Sequence, residues 1–299
     1  MKNKSIACAI ASIIFIAGCA GPETRIHNIA DAVTSSEETH DTEAINNLSD
    51  SIKSADLSLD RLHKYSDETI NILYDTLSKI SFYSPDEEAY VLRQETVFNE
   101  KVRRGRYNEE DVEDMGSTFL EARIFNKAIN LKQQFPKMAL SSIPERIVTE
   151  NIPQSANWQV YDISDQGNKA ELRLLPLATG VKIIMFASPG CGPAESAAKD
   201  ILADVELNSI FRAAGIMVIR KFDPAGVEAM KKQFNFPAVY IAHKSGDFPG
   251  LILQPSPHFY FLKDGKSLYD FKSWSSENNG EYSKKKIKKG LSAIGLKAE

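Results

Sequence analysis

Cysteine, tryptophan and histidine are scarce in this chain, which has three, two and five of them in 299 residues. Two cysteines, Cys8 and Cys19, stand near the start, and Cys191 is alone in everything that follows. His40 and His63 stand singly, without metal-ligand spacing, so no metal site is expected. No motif asks for a cofactor. A basic excess is missing too: 36 Lys and Arg face 40 Asp and Glu, a net charge of −4. With no nucleic-acid module in view, DNA and RNA are excluded as expected partners. Nor is there an apolar run of the roughly 20 residues that a bilayer-spanning helix needs. The candidate, Ile6 to Ile16, falls short.

What is present is an ordinary globular composition, 42% hydrophobic and 25% charged, long enough for one or two domains. Residues 1–19 read as a targeting segment, with Lys2 and Lys4 before the apolar stretch and Ile16-Ala17-Gly18-Cys19 at its end. That ending resembles a bacterial lipobox, which implies lipidation of Cys19, a membrane attachment through the lipid and a periplasm-facing envelope location. Ala20 after the cysteine implies the outer rather than the inner membrane. A plain secretory signal or an N-terminal anchor is the alternative. Removal of residues 1–18 takes two lysines and no acids, moving the charge from −4 to −6. Cys191 is then the single free thiol, and no intramolecular disulfide can form.

Residues 20–42 are polar and aperiodic and are expected to be a flexible tether. Residues 43–150 are expected to form a helical interaction module. Ile45, Leu48, Ile52, Ala55, Leu59 and Leu62 recur at steps of three and four, and after a phase shift Ile70, Leu73, Leu77 and Ile80 follow. Two structures fit: one helix over residues 43–81, about 58 Å long at 1.5 Å per residue, or two shorter helices broken near Tyr65-Ser66-Asp67. The long form would offer a seam for homo-oligomerisation. Ser84-Pro85-Asp86 opens a further helix that ends at Arg104-Gly105. Asn108-Glu109-Glu110 opens another, carrying Val112 to Leu131. Ile143-Pro144 to Ile152-Pro153 marks a domain boundary.

The stretch with chemistry is Val181 to Glu195. The apolar residues Ile183 to Phe186 read as a buried strand that stops at Ser188-Pro189-Gly190, and Pro193 suits the first turn of a helix. Cys191 thus falls at a strand-to-helix junction, where free N–H groups and the helix dipole favour a reactive thiol. The remainder alternates: a helix from Gly192 to about Ala214, strand Ile216 to Phe222, a helix Pro224 to Phe234 capped by Asp223, an insertion Phe236 to Gly250, a hairpin from Phe259 to Phe271, and a last helix from Glu281 to Ile294. Lys284-Lys285-Lys286-Ile287-Lys288-Lys289 reads as the solvated face of that helix.

Cys191-Gly192-Pro193-Ala194 resembles the Cys-Gly-Pro-Cys motif of thioredoxin-fold proteins, with alanine for the second cysteine. Ser256-Pro257-His258-Phe259-Tyr260-Phe261-Leu262-Lys263-Asp264-Gly265-Lys266 resembles that family's cis-proline strand and turn, and Trp158 to Leu172 resembles the extra hairpin of membrane-anchored members of the TlpA and ResA type. Together the three cover about half the chain. The resemblance implies an α/β fold over residues 155–299, a central mixed sheet flanked by helices. It also implies catalytic-position residues Cys191, Gly192 and Pro193, and peptide binding at Ser256 and Pro257. Gly190 replaces the tryptophan that usually precedes the cysteine, and without a resolving thiol a dithiol cycle is excluded. Two functions stay open. One is a protein-binding scaffold in an envelope assembly, its partner held in part by a mixed disulfide; the other is a monothiol oxidoreductase or isomerase using Cys191. Peroxide reduction has less support, because no arginine and threonine can be placed beside the cysteine. His243 and His258 are candidates for proton handling, each more simply read as a surface or core histidine.

Overall fold

The computed structural model describes residues 21–297 apart from 40, 139, 141, 150, 151 and 154. The targeting segment, Cys8, the expected lipidation site Cys19 and His40 therefore lie outside the described residues. The chain divides into two units, Met1–Ala122 with Phe135–Ala139, and Arg123–Gln134 with Leu140–Glu299.

The first unit carries α1 (Pro22–Glu38), α2 (Thr42–Ser49), α3 (Leu59–Leu62), α4 (Asp67–Tyr83), α5 (Glu88–Arg104) and α6 (Glu109–Glu121). Ser66 caps α4 by accepting from the Thr69 N–H at 3.1 Å, and Asp67 and Glu68 sit in its positive first turn. Ile70, Leu73, Leu77 and Ile80 form one buried stripe of α4, which packs on α1, α2 and α5. The helix α5 stops at Gly105, whose φ of 65° is left-handed and free of a Cβ clash. Asn108 and Asp111 close a reciprocal cap on α6.

Three expectations differ here. Residues 22–38 form a helix, not a tether. Ile26, Ile29 and Val33, at steps of three and four, are buried, and three such residues anchor a helix that its mean polarity conceals. The periodic seam is not one long helix. It is broken after α2 and again at Tyr65-Ser66-Asp67, where the shorter-helix alternative placed its break, and its residues Ile45, Ile52, Leu62, Ile70 and Leu73 are buried while Leu59 is exposed. The helix expected from Ser84 starts at Glu88, Ser84 instead ending α4.

In the second unit lie α7 (Phe125–Gln134), β1 (Arg146–Val148), β2 (Gln159–Ser164), β3 (Lys169–Leu174), β4 (Val181–Ala187), α8 (Gly192–Ala203), α9 (Val205–Ala214), β5 (Gly215–Ile219), α10 (Pro224–Gln233), β6 (Val239–Ala242), β7 (His258–Lys263), β8 (Lys266–Lys272) and α11 (Glu281–Ala293). The strands form one mixed sheet, ordered β1-β3-β2-β6-β5-β4-β7-β8. Within it β4, β5 and β6 are parallel, joined by helical crossovers, while β7 runs antiparallel to β4 and β2 antiparallel to β6. The chain is thus mixed α/β. One sheet face buries Ile184, Phe186, Val218, Tyr260 and Leu262 under Trp158, Phe248, Leu251 and Leu253. Toward the other face, α9 packs on β4 and β5 and α11 on β7 and β8.

The strand β4, the Asp223 cap of α10 and the hairpin β7–β8 lie where the residue pattern put them, and residues 159–174 form the hairpin β2–β3 that the resemblance implied. Four features do not. The single helix expected from Asn108 to Leu131 is cut at Arg123, which has a left-handed φ of 62° and donates to the carbonyls of Arg220, Ala242 and His243 at 2.7–3.0 Å. These bonds tie the start of α7 to the ends of β5 and β6, so the boundary falls at Ala122 and not near 150. The proline-rich stretch around residue 146 supplies β1, parallel to β3. Asp204 divides the helix after Cys191 into α8 and α9, capping the second through the Leu207 N–H at 3.1 Å. The expected insertion 236–250 contains β6, a central strand.

Candidate functional site

At the end of β4 the backbone turns through Ser188, Pro189 and Gly190, and Gly190 takes a φ of 73° that only glycine adopts without strain. The Cys191 N–H closes the turn on the Ser188 carbonyl at 3.1 Å, and the Cys191 carbonyl accepts from Ala194 and Glu195, both at 2.9 Å, as the first turn of α8. Cys191 is accordingly the N-cap residue. Glu195 reaches back: its Oε1 accepts from the Gly190 N–H at 3.1 Å and pins the loop to the helix. Pro189 leans on α10, where a Cβ on Gly226 would stand 2.7 Å from the proline Cγ. The same Cβ would overlap the Asp223 carboxylate that caps α10, so the cap and the loop carrying the cysteine together leave room only for glycine at 226.

The Cys191 thiol is half-buried, and its Sγ donates to the Ser256 carbonyl at 3.5 Å. The Ser256–Pro257 and Gln254–Pro255 peptides are both cis. Pro257 is buried, and its carbonyl accepts from the Ser273 N–H at 2.9 Å, which fixes the segment to the strand end of β8. Around Cys191 the surface is open: nothing lies within 4 Å of a Cβ placed on Gly192, and Pro193 is exposed. Ala194 is buried, as are Ala197, Ala198 and Ile201 below it. Of the residues singled out from sequence, Cys191, Gly192, Pro193, Ser256 and Pro257 therefore come together. Among the described residues Cys191 is the only cysteine.

The two histidines are held by carboxylates. His258 is 1% exposed, opposite Phe186 in the β4–β7 ladder, with Nε2 3.0 Å from Asp270 Oδ2 and its ring tilted against Tyr260 with centroids 4.1 Å apart. Its Nδ1 and the Ser256 hydroxyl oxygen are buried without a partner. His243 pairs with Asp247 at 2.6 Å and lies against the Tyr161 ring. Sequence reasoning missed Glu195 as a loop clamp, Gly226 as a rest for Pro189, and the second cis peptide. The Glu195 clamp had one legible trace, an acid four residues after a cysteine at a helix start.

A separate groove of about 760 Å³ lies in the first unit, bordered by Tyr74, Asp75, Ser78, Lys101, Asp111 and Asp114. Burial pushes the Asp114 carboxyl up from its ordinary range, against hydrogen bonds from Ser78, Tyr74 and Gln94 that pull it down. Lys101 is buried against Asp111 at 2.5 Å. Among the described residues no group of three or more His, Cys, Asp and Glu could hold a metal ion, and no helix is long and apolar enough to cross a membrane. Comparison with protein-family models, curated proteins and solved structures finds no match.

Proposed function

We propose that this chain is a bacterial envelope lipoprotein whose sheet-bearing unit is a thioredoxin-like protein-binding module with one capturing thiol. Lipid on Cys19 attaches it to the membrane, outer rather than inner, facing the periplasm. One observation carries the reading: the thiol belongs to the N-cap residue of a helix and lies 3.5 Å from the carbonyl of a cis-proline segment, beside open surface at Gly192. A protein segment lying along Ser256 and Pro257 would bring a cysteine or disulfide of its own to the Cys191 sulfur. The helical unit supplies further surface for the assembly.

The buried Ala194 favours holding over turnover, since nothing in the chain can release a captured partner. Monothiol exchange is the second reading, supported by the partial exposure of Cys191. There the Cys191 thiolate attacks one sulfur of a substrate disulfide, the S–S bond breaks, and the other sulfur leaves as a thiolate. Glutathione or the substrate's second thiol then attacks the mixed disulfide and returns Cys191 as the leaving thiolate.

The test is acid quenching of cells followed by maleimide blocking, comparing adducts of the wild-type chain with Cys191→Ser. The reading expects disulfide-linked envelope partners that vanish on reduction and are absent from the variant. Stable adducts of few partners support capture; adducts that appear only transiently and turn over with added glutathione support exchange. A Cys191 that stays unmodified by maleimide in the folded chain, with no adduct in cells, overturns both thiol roles.

A further inference from the structure

The basic run in α11 is not uniformly solvated. On one flank Lys284 pairs with Asp204 at 3.1 Å and Lys288 with Glu206 at 3.2 Å. The opposite flank has a different chemistry. Lys286 Nζ lies 4.6 Å from the Tyr282 ring centroid and 5.5 Å from that of Phe271, and Lys289 Nζ lies 5.3 Å from the Tyr269 ring. Tyr269 and Phe271 are themselves 6.3 Å apart, so the five residues make one continuous strip across α11 and the edge strand β8. Neither Lys286 nor Lys289 makes an ion pair among the described residues, and Lys285 beside them is held only at 3.8 Å by an exposed Glu281. From Lys263 to Lys289 there are eight lysines against four acids, in a chain whose net charge is −4.

We infer that this strip is a docking face for an anionic lipid headgroup layer. Ammonium groups resting on aromatic faces keep their charge without a neutralising carboxylate, and an exposed tyrosine with an apolar body and polar tip suits the headgroup depth. Tyr282 is 64% exposed. Docking is held in place because α11 is seated closely on the sheet: a Cβ on Gly290 would overlap the Phe261 ring. The inference rests on this geometry and not on acylation of Cys19.

The test is partition of the full chain onto vesicles of phosphatidylcholine alone and of phosphatidylcholine with 30% phosphatidylglycerol, so that any apolar leader contributes equally to both. Wild type is expected to prefer the anionic vesicles, with the preference fading above about 0.5 M salt. Lys286→Gln/Lys289→Gln is expected to lose about thirtyfold of that preference, at roughly fivefold per lysine, while Lys286→Arg/Lys289→Arg retains it. Circular dichroism confirms that both variants fold; if the glutamine pair fails to fold, charge reversal at Lys285 and Lys289 is the second variant. Equal binding to both vesicles overturns the inference, as does an unchanged preference in the glutamine variant. Salt-sensitive binding to duplex DNA or a polyacidic peptide, without vesicle binding, overturns it too.

Discussion

At the scale of single residues, the first unit is held by charges that burial has made consequential. The Glu100 side chain is 1% exposed and accepts from Arg103 at 2.7 and 2.8 Å and from Arg104 at 2.6 Å. Those guanidinium hydrogen bonds, Arg103's first, hold its pKa at about 2, against an ordinary 4.5. Because the folded value is depressed, the stabilisation is whole above 4.5 and is lost as pH falls toward about 2. Urea unfolding of wild type and Glu100→Gln across pH 6 to 2 should show the difference between them shrinking by roughly 2 kcal/mol, less than the full shift because Arg103 is half exposed and screened. A gap that stays constant with pH would contradict this. At the site, Cys191 was legible in the sequence because a lone thiol between a β-branched run and Gly-Pro marks a strand-to-helix junction. The reach of Glu195 to Gly190, or of Arg104 to Glu100, was not, because it depends on rotamers chosen by surroundings far along the chain.

Two glycines bear on how elements meet. Gly226 leaves room for the Asp223 cap carboxylate and for Pro189, so Gly226→Ala is expected to cost roughly 1–3 kcal/mol by overpacking against both and to raise the maleimide rate of Cys191 severalfold as the loop shifts. Stability and rate both unchanged would show that Pro189 does not need that support. Gly290→Ala drives a methyl into the Phe261 ring and should cost a comparable amount in thermal or urea unfolding. Arg123→Ala removes three hydrogen bonds to the ends of β5 and β6 and is expected to destabilise the sheet unit by roughly 2–3 kcal/mol, measurable in the same assay. Elements whose apolar residues keep a clean period, such as α4 and β4, could be read directly. Those with a sparse or short signal could not: α1 rests on three buried residues in a polar stretch, and β6 is four residues between prolines and a charged loop.

For the molecule as a whole, each unit should open from its margins inward. Amide exchange is expected to be slowest in β4, β5 and β7, whose residues are almost all buried, and in the buried stripe of α4. Exchange should be fast in the three-residue edge strand β1 and on the exposed edge of β8. Equal protection of β1 and β4 would contradict that order. By itself the sequence determined what local chemistry can determine: a strand ending in a Pro-Gly turn, a cysteine at a helix start, the helix starts at Asn108 and Asp223, and the turn at Asp264-Gly265. Tertiary structure decided where the units divide, that β6 is central, and that most of the lipophilic seam of residues 45–80, though not Ala55 or Leu59, is buried inside the chain. It alone brought Ser256 to Cys191 across 65 residues. The reason is physical: periods and caps are set by neighbours within a turn or two, whereas strand order and shared burial depend on which distant surfaces exclude water together.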